Sequence, residues 1–136
     1  MIVRRLGPGD EAVVRRLAED AAPQSDLLAD ERTIFLVAFD SDDPIGFVLA
    51  YELPRRRGDP SQLFVYEVGV DEGRQRQGVA TSLFRELARV ALARGIRTGF
   101  VLTNESNEAA MELYRSVGGA RPNPDDVLWG FDWSAA

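Results

Sequence analysis

The stretch from Leu63 to Val70 is the most β-prone part of the chain, and a helix with a continuous apolar stripe follows it. The pattern predicts this helix from about residue 78 to residue 94, and Gly95 ends it. The stripe consists of Val79, Leu83, Leu87, Val90 and Ala91. The next strand is predicted from Ile96 to Thr103. Strands that alternate with one-sided helices indicate a sheet on which helices pack.

Further strand and helix patterns flank this unit. Strands are predicted at 2–6, 34–39, 45–53 and 127–133, with helices after Asp10 and after Ser106 or Asn107. Pro23 stops the first of these helices, and Ser25 is a candidate cap for a further turn. The order βαα-βββ-α-β-α-β predicts one α/β domain over residues 1–136, with a mixed sheet covered by helices on both faces.

The residue types that are missing restrict the chemistry. The chain has no Cys, no His and no Lys, so all 16 basic residues are Arg. This excludes thiolate nucleophiles, disulfides, Cys or His metal sites, Ser-His-Asp triads and Schiff bases. An enzyme of this composition takes its acid and base from Asp, Glu, Tyr or hydroxyl side chains. A bound cosubstrate must then carry the difficult chemistry, and no metal is expected.

The net charge of the chain indicates which kind of molecule it binds. The 22 acidic residues outnumber the 16 basic ones, giving a net charge of -6. An acidic surface argues against nucleic acid and favours a cationic small molecule. The N-terminus does not have the pattern of a signal peptide, and no apolar run approaches the roughly 20 residues of a membrane span. No membrane association and a cytoplasmic location are therefore expected.

Two segments carry candidate chemistry. Residues 75–80 read Gln-Arg-Gln-Gly-Val-Ala and lie where a strand gives way to the long helix, a position that favours pyrophosphate binding. Gly78 would let a phosphate approach, and Arg74 and Arg76 would add positive charge. An ordinary strand-to-helix turn with solvated arginines is the alternative. One strand later, Asn107 begins a helix, and Tyr114 lies two turns further along it. Their amide and phenol groups are available to a ligand. The alternative is that Asn107 is only a helix cap and Tyr114 only a core aromatic.

Together, these two segments resemble the signature of the GNAT superfamily of acetyl-CoA-dependent N-acetyltransferases. The second segment reads Asn-x-x-Ala-x-x-Leu-Tyr at 107–114, about thirty residues after the first. The resemblance implies a central, mostly antiparallel sheet that is splayed at the cofactor site, with helices on both faces. It also implies acetyl-CoA as cosubstrate and direct acetyl transfer in a ternary complex.

A narrower resemblance is to the aminoglycoside 3-N-acetyltransferases of the gentamicin-resistance type. It rests on residues 35–39, 49–54, 65–70 and 76–81 and on the closing 129–132. Leu102 stands where many peptide-acetylating members carry Glu, which disfavours a peptide substrate. Gly118-Gly119 replaces the usual Gly-Phe and predicts a looser last strand. Glu67 stands where the aminoglycoside enzymes have Asp.

The resemblance assigns roles to individual residues. Glu67 is the candidate base, directly or through water, with an ion pair on the sheet as the alternative, and Tyr114 is the acid that protonates the departing thiolate. The cofactor-binding candidates are Val68, Gly69, Val70, Arg76, Gln77, Gly78, Val79, Ala80, Thr81 and Asn107. The substrate-binding candidates are Tyr66, Glu67, Asp125, Asp126 and Asp132.

Some roles stay open at this point. Asp125 and Asp126 also fit a simple turn, and the arginines of 55–57 fit a solvated loop as well as a nucleotide phosphate. The predicted acceptor is the 3-amino group of an aminoglycoside; the alternatives are another small amine (a polyamine or amino acid) or a non-catalytic acetyl-CoA-binding module. Dimers are common in the family, and Trp129, Phe131 and Trp133 are candidates for a homodimer interface.

Overall fold

The structure, a computed structural model, describes residues 1–18 and 26–135. Its strands are β1 (Ile2–Arg5), β2 (Thr33–Asp40), β3 (Asp43–Leu53), β4 (Gln62–Val70) and β5 (Thr98–Val101). Its α-helices are α1 (Glu11–Leu17), α2 (Val79–Ala93) and α3 (Glu108–Ser116), and short 3₁₀ helices cover Glu72–Arg74 and Trp133–Ala135. The predicted stop at Pro23 and cap at Ser25 lie outside the described residues.

The strands form a single mixed sheet in the order β1-β2-β3-β4-β5. The first four strands pair with their neighbours in antiparallel fashion, and β5 pairs with β4 in parallel fashion. A parallel pair needs a crossover connection, which α2 supplies. The prediction of an α/β fold with a mostly antiparallel mixed sheet is confirmed.

Helices cover both faces of this sheet, and β2 shows why. Ile34, Leu36 and Ala38 belong to the cluster under α2, whereas Phe35 and Val37 belong to the cluster under α1. Successive side chains of a strand point to opposite faces, so a strand that is apolar at every position is buried between two layers. The predicted stripe of α2 is buried in the first cluster.

The predicted last strand, Val127 to Trp133, is wrong. Residues 127–132 have no regular structure, and the large apolar side chains of this stretch are exposed. The preceding strand is also shorter than the predicted Ile96 to Thr103, since β5 covers only Thr98–Val101. A strand is stable only when it pairs with another, so alternating apolar residues do not make one alone.

The core under α2 carries much of the stability of the fold. Leu83 is fully buried there, at 0% exposure. We expect Leu83→Ala to lower the free energy of unfolding by about 2–5 kcal/mol, because it leaves a cavity in a packed core. Leu128→Ala, at an exposed position, should change it by less than about 0.5 kcal/mol. Urea unfolding measures both values, and equal losses would contradict this description of the core.

Candidate active site

Strands β4 and β5 separate part-way along their length. Their pairing covers only Gln62–Val65 of β4 and Thr98–Val101 of β5. Beyond Val65, β4 continues to Val70, where β3 is its only partner among the described strands. One edge of residues 66–70 therefore has no strand partner among the described residues. At its end the Gln75 side chain donates to the Val70 carbonyl, and an extended ligand can pair as an added strand along the rest of this edge. This is the splayed sheet that the sequence resemblance implies.

A β-bulge interrupts β4 where the separation begins. Glu67 lies opposite Leu49 of β3. The next residue of β3, Ala50, lies opposite Val65, so Tyr66 is the extra residue. A bulge changes the direction in which the side chains of a strand point.

The bulge brings Tyr66 and Glu67 to the same face of the sheet. Glu67 lies opposite Leu49, which belongs to the cluster under α1, and residues that face each other on paired strands share a face. The ring of Tyr66 lies 5.8 Å from that of Tyr51, which packs on the same cluster. Regular alternation along the strand predicts Tyr66, Val68 and Val70 on one face and Glu67 on the other. This prediction is wrong for Tyr66 and Glu67.

The two valines that follow point the other way. Val68 and Val70 pack against the cluster under α2, so they do not share a face with Tyr66 as predicted. The strict alternation of a strand cannot continue through a bulge, and neither Tyr66 nor its neighbours Val65 and Glu67 is a glycine or proline that would mark this one. Tyr66 and Glu67 are both exposed, and a ligand can reach them from solvent.

Tyr51 joins this pair and was missed by the sequence reasoning. Burial raises the pKa of its phenol, and the nearby Glu67 carboxylate and Tyr66 phenol raise it further. The phenol therefore keeps its proton and remains a hydrogen-bond donor. A carboxylate beside two tyrosine rings suits an ammonium group, which is attracted to both. The signal available in the sequence was that Leu49 and Tyr51 share one face of β3.

The start of α2 is open to an anion. Gly78 is its N-cap residue and has no side chain to cap the helix, and no side chain in the described part of the chain accepts a hydrogen bond from the first turn. The first N–H groups of the helix are thus left without side-chain acceptors. Gly78 has φ 81°, a left-handed conformation that favours glycine, and a Cβ built there would meet no atom within 4 Å. The first turn therefore offers N–H groups that can donate to a phosphate and enough open space for the phosphate to approach them.

The two arginines expected at this point differ. Arg74 makes an ion pair of 2.8 Å with Asp40 of β2, so its charge is partly neutralised. Arg76 is exposed and makes no ion pair within the part of the chain that the structure describes. It also has a left-handed backbone, with φ 63°, which is uncommon for a residue with a side chain. Arg76 is the cation that remains available to an anion here.

Substitution of Gly78 tests whether the start of α2 binds an anion, and substitution of Gly73 is the matched control. A Cβ at either position meets no atom within 4 Å, but only Gly78 has a positive φ. We expect Gly78→Ala to cost about 1–2 kcal/mol of backbone strain and to weaken binding of coenzyme A. Gly73→Ala should leave the free energy of unfolding and the affinity for coenzyme A nearly unchanged. Urea unfolding and calorimetric titration with coenzyme A measure the effects, and equal behaviour of the two variants would contradict the assignment.

Helix α3 begins and ends with defined caps. The Asn107 side-chain oxygen accepts a hydrogen bond of 3.0 Å from the Ala110 N–H, so Asn107 is the N-cap. Its oxygen is thus engaged, and its amide nitrogen is the group left to meet a ligand. At the other end, Gly118 has φ 96° and the Gly119 N–H donates to the Tyr114 carbonyl at 2.8 Å. This Schellman arrangement fixes the turn that carries Tyr114.

The Tyr114 side chain lies between α3 and α2. Its ring centroid is 5.8 Å from that of Phe84, and the side chain is half-buried. Burial raises the pKa of its phenol. A raised pKa means that Tyr114 holds its proton over the whole neutral range, as an acid must before it donates.

A groove of about 860 Å³ connects these elements. Its lining includes Thr81 and Phe84 of α2, Val65 of β4, Val101 of β5, and Tyr114. Val65 and Val101 are the last paired residues before β4 and β5 separate. The groove thus brings the start of α2, the fork in the sheet and the Tyr114 ring together.

The remaining candidates lie elsewhere. Asp125 and Asp126 lie in a turn, in which the Asp125 N–H donates to the Asn123 side chain and the Asp126 N–H to the Asn123 carbonyl. Asp132 accepts hydrogen bonds from Ser134. All three lie in the exposed segment after α3, and their role in substrate binding stays a prediction. The Arg55 guanidinium lies against Gln62, the first residue of β4, at the end of the strand away from the start of α2.

Residues 1–18 and 26–135 contain neither a candidate metal site nor a membrane-spanning helix. No group of three or more acidic side chains there is arranged to hold a metal ion. None of the helices in these ranges is long and apolar enough to cross a bilayer.

The sequence profile of the Acetyltransferase (GNAT) family matches residues 7–118. This covers most of the chain. The chain belongs to the GNAT family.

Curated relatives match over part of their length. The L-2,4-diaminobutyric acid acetyltransferases of Shouchella clausii (strain KSM-K16) and Marinococcus halophilus are 27% and 28% identical to this GNAT chain, over 82 and 86 residues. The matches cover 60% and 63% of this chain but 44% and 48% of the relatives. The matched region thus spans less than half of each relative.

Solved structures match over nearly the whole GNAT fold. An aminoglycoside acetyltransferase from an uncultured soil metagenomic sample superposes with a TM-score of 0.85 at 20% identity, covering 96% of both chains. Its complex with sisomicin gives 0.81 at 19% identity, again over 96% of both chains. A second soil metagenomic aminoglycoside acetyltransferase gives 0.82 at 27% identity, over 96% of this chain and 95% of that one. An aminoglycoside N-acetyltransferase bound to CoA gives 0.80 at 18% identity, over 96% and 98%.

The GNAT family uses acetyl-CoA, and the start of α2 fits it. The helix has no side-chain cap, and the space above Gly78 is open, which suits the pyrophosphate. The free edge of β4 suits the amide-containing pantetheine arm, since such an arm can pair with a strand edge.

Proposed function

We propose that this chain transfers the acetyl group of acetyl-CoA to a primary amine of a small polycationic molecule, the 3-amino group of an aminoglycoside. The observation that carries the proposal is the bulge in β4. It sets Tyr66 and Glu67 beside Tyr51 on one face, next to the point where β4 and β5 separate. An amine-binding carboxylate thus adjoins a strand edge that suits the cofactor.

The cofactor is assigned to two stretches and one side chain. The open edge of β4, at Val68, Gly69 and Val70, pairs with the pantetheine arm. The start of α2 holds the pyrophosphate through Arg76, Gln77, Gly78, Val79, Ala80 and Thr81. The Asn107 amide nitrogen contacts the pantetheine arm. Acetyl-CoA supplies an acetyl group that its thioester activates for transfer.

Proton movements are assigned to two side chains. An amine arrives as an ammonium ion, and Glu67 accepts the proton that it must lose, directly or through one water. Tyr114, whose raised pKa keeps its phenol protonated, donates a proton to the departing thiolate. A backbone N–H on the open edge of β4 donates to the carbonyl oxygen and stabilises the charge that develops there. Direct transfer fits a chain without cysteine.

The acceptor is assigned from the negative charge of the chain and from relatives whose structures have been solved. The net charge of -6 and the Glu67 carboxylate favour a polycation. The Tyr51 and Tyr66 rings add cation–π attraction and an apolar wall. Three solved relatives with this fold are aminoglycoside acetyltransferases, and one of them has been solved with sisomicin.

Diaminobutyrate is the second candidate acceptor. The curated relatives are L-2,4-diaminobutyric acid acetyltransferases, and their acceptor is also a small diamine. Diaminobutyrate differs from an aminoglycoside in carrying a carboxylate, which needs a cationic partner in the acceptor site. The Tyr51, Tyr66 and Glu67 group contains none, so the structure favours the carboxylate-free polycation.

A panel of acceptors tests the proposal. We would measure thiol release from acetyl-CoA with sisomicin, gentamicin, kanamycin, 2,4-diaminobutyrate and spermidine, and locate the acetyl group by NMR. The proposal predicts turnover on aminoglycosides and acetylation at the 3-amino group. Turnover only on diaminobutyrate or spermidine would replace the acceptor and keep the cofactor. Tight acetyl-CoA binding without turnover on any amine would indicate a non-catalytic module.

A further inference from the structure

Four aromatic rings lie in a row across β3, β4 and β5. The rings of Phe64 and Phe100 stack, with centroids 4.8 Å apart and planes 8° apart. The ring of Tyr66 meets that of Phe64 edge-on at 5.6 Å, and on its other side it lies 5.8 Å from the ring of Tyr51. Each of these distances is that of an aromatic pair in contact. The four rings therefore form one connected group, which we call the aromatic row.

The aromatic row lies on the face of the sheet that α1 covers elsewhere. Leu63 and Val65 are buried in the cluster under α2, so Phe64 between them points to the opposite face. Phe100 stands opposite Phe64 in the register of the parallel pair, and the two rings stack on this same side. Tyr51 packs on the cluster under α1. The row thus begins beside the residues assigned to the acceptor amine and leads away from them to β5.

Packing of the core does not account for the outer half of the aromatic row. The cluster under α1 takes its strand residues from β2 and β3, and none of its described members comes from β4 or β5. Phe64 and Phe100 belong to neither cluster of the described core. Phe100 is 39% exposed and Tyr66 is 57% exposed. Aromatic side chains that stay open to solvent beside a candidate site are typical of a ligand-binding surface.

The two ends of the aromatic row carry opposite charges. Glu67 lies at the end where β4 and β5 separate. At the other end Arg55 Nη2 donates to the Gln62 side-chain oxygen at 3.4 Å and to the Thr98 hydroxyl at 3.3 Å. Glu67 and Gln62 are roughly 14 Å apart at the rise of a strand. An ammonium group is attracted to the first end and repelled from the second, so the stretch between them suits an uncharged part of a ligand.

A sugar ring has the chemistry that this stretch requires. The C–H groups of such a ring carry a partial positive charge and pack on the negative face of an aromatic ring. Its hydroxyl groups need donors and acceptors at the edge of the aromatic surface, and Gln62, Thr98 and Arg55 supply both. A linear polyamine has no ring to pack there, and it would bring further ammonium groups towards Arg55.

We propose that the aromatic row is a second acceptor subsite, in which Phe64 and Phe100 bind the sugar that is linked beside the reactive amine. The inference rests on the proposed function, because it takes the acceptor to be an aminoglycoside. In such an acceptor a sugar is attached to the carbon next to the one that bears the 3-amino group. With that amine at Glu67, the sugar reaches Phe64, which is about 7 Å away along β4 when the bulge residue is left out. The subsite selects among acceptors and takes no part in proton transfer.

Two acceptors that differ by one uncharged ring test the subsite. They are 2-deoxystreptamine, which is the central ring alone, and 4-O-glucosyl-2-deoxystreptamine, which adds a glucose beside the 3-amino group. The ratio of their kcat/KM values should be about tenfold in favour of the glucosyl compound in the parent, mainly through KM. In Phe100→Ser the ratio should fall to within about twofold of one. A parent without this preference would overturn the proposal, and so would a variant that loses turnover on both acceptors by the same factor.

Two further variants separate the aromatic surface from general effects of substitution. Phe100→Tyr keeps an aromatic ring at this place, so the preference for the glucosyl compound should be retained. Ile2→Ser is the matched control, because it removes an exposed apolar side chain from a strand at the other edge of the same sheet. It should show the ratio of the parent, and urea unfolding shows whether each variant is folded. An equal loss of the ratio in Ile2→Ser and Phe100→Ser would overturn the proposal.

A binding measurement on the parent protein does not depend on how the variants fold. The ring signals of Phe64 and Phe100 in NMR spectra are assigned with Phe64→Tyr and Phe100→Tyr, and each acceptor is titrated into the protein with coenzyme A bound. The glucosyl compound should shift both signals, and 2-deoxystreptamine should shift neither. Turnover of both acceptors without a shift at Phe64 or Phe100 would overturn the subsite and leave the proposed function intact. Neither turnover nor any shift would overturn the proposed function, and the subsite with it.

Discussion

Replacing Glu67 with Gln is expected to lower kcat by roughly two to four powers of ten, the usual contribution of a general base. The amide keeps the size of the side chain and its place on the bulge, but it cannot accept a proton from the ammonium group. Binding of acetyl-CoA should be unchanged, because the cofactor is assigned to the open edge of β4 and the start of α2. Steady-state kinetics with sisomicin and calorimetric titration with acetyl-CoA measure the two quantities.

Glu112 supplies the matched control for this substitution. It is an exposed glutamate on α3 and makes no ion pair within the described residues. Glu112→Gln removes the same charge from the protein without touching β4, and kcat should stay within about twofold. A loss of less than tenfold for Glu67→Gln would show that Glu67 is not the base.

Replacing Tyr114 with Phe is expected to lower kcat by about a hundredfold, at the lower end of the range for general acid catalysis. The ring, and with it the packing on Phe84, is retained, and only the proton donor is lost. The affinity for acetyl-CoA should therefore change little. A large loss of affinity with unchanged kcat would make Tyr114 a packing residue. Phe84→Leu is the companion variant, because it disturbs the packing and leaves the phenol in place.

The pH profile gives a second test of Tyr114. Burial raises the pKa of its phenol above the ordinary value near 10, so the acid form persists at all lower pH values. Loss of this proton should therefore not reduce turnover between about pH 7 and about pH 9.5. A decline within that range that disappears in Tyr114→Phe would show that the phenol titrates earlier than its environment indicates.

Most of the fold follows from apolar periodicity. The continuous apolar run of β2 indicates a strand covered on both sides, and the stripe of α2 from Val79 to Ala91 indicates a helix with one buried face. The N-cap at Asn107 follows from its side chain, which supplies the acceptor that a helix start lacks. These features depend on neighbours in sequence, and the sequence shows them.

The features that could not be predicted depend on partners far away in the sequence. The bulge at Tyr66 arises from the register between β3 and β4, and alternation along β4 alone gives no sign of it. The position of Tyr51 beside Glu67 follows from the same register. The ion pair of Arg74 with Asp40 joins a short 3₁₀ helix to a strand that is distant in the chain. The segment from Val127 to Trp133 has the pattern of a strand but no partner in its own sheet.

The proposed reaction is direct transfer of an acetyl group from acetyl-CoA to an amine. The most direct test is to measure, in one reaction with sisomicin, the thiol released, the acetylated amine formed and the mass of the protein. Direct transfer predicts one acetylated amine for each thiol released and a protein whose mass never increases. Thiol release without acetylated amine, or an acetylated protein that forms first and then passes its acetyl group to the amine, would contradict it.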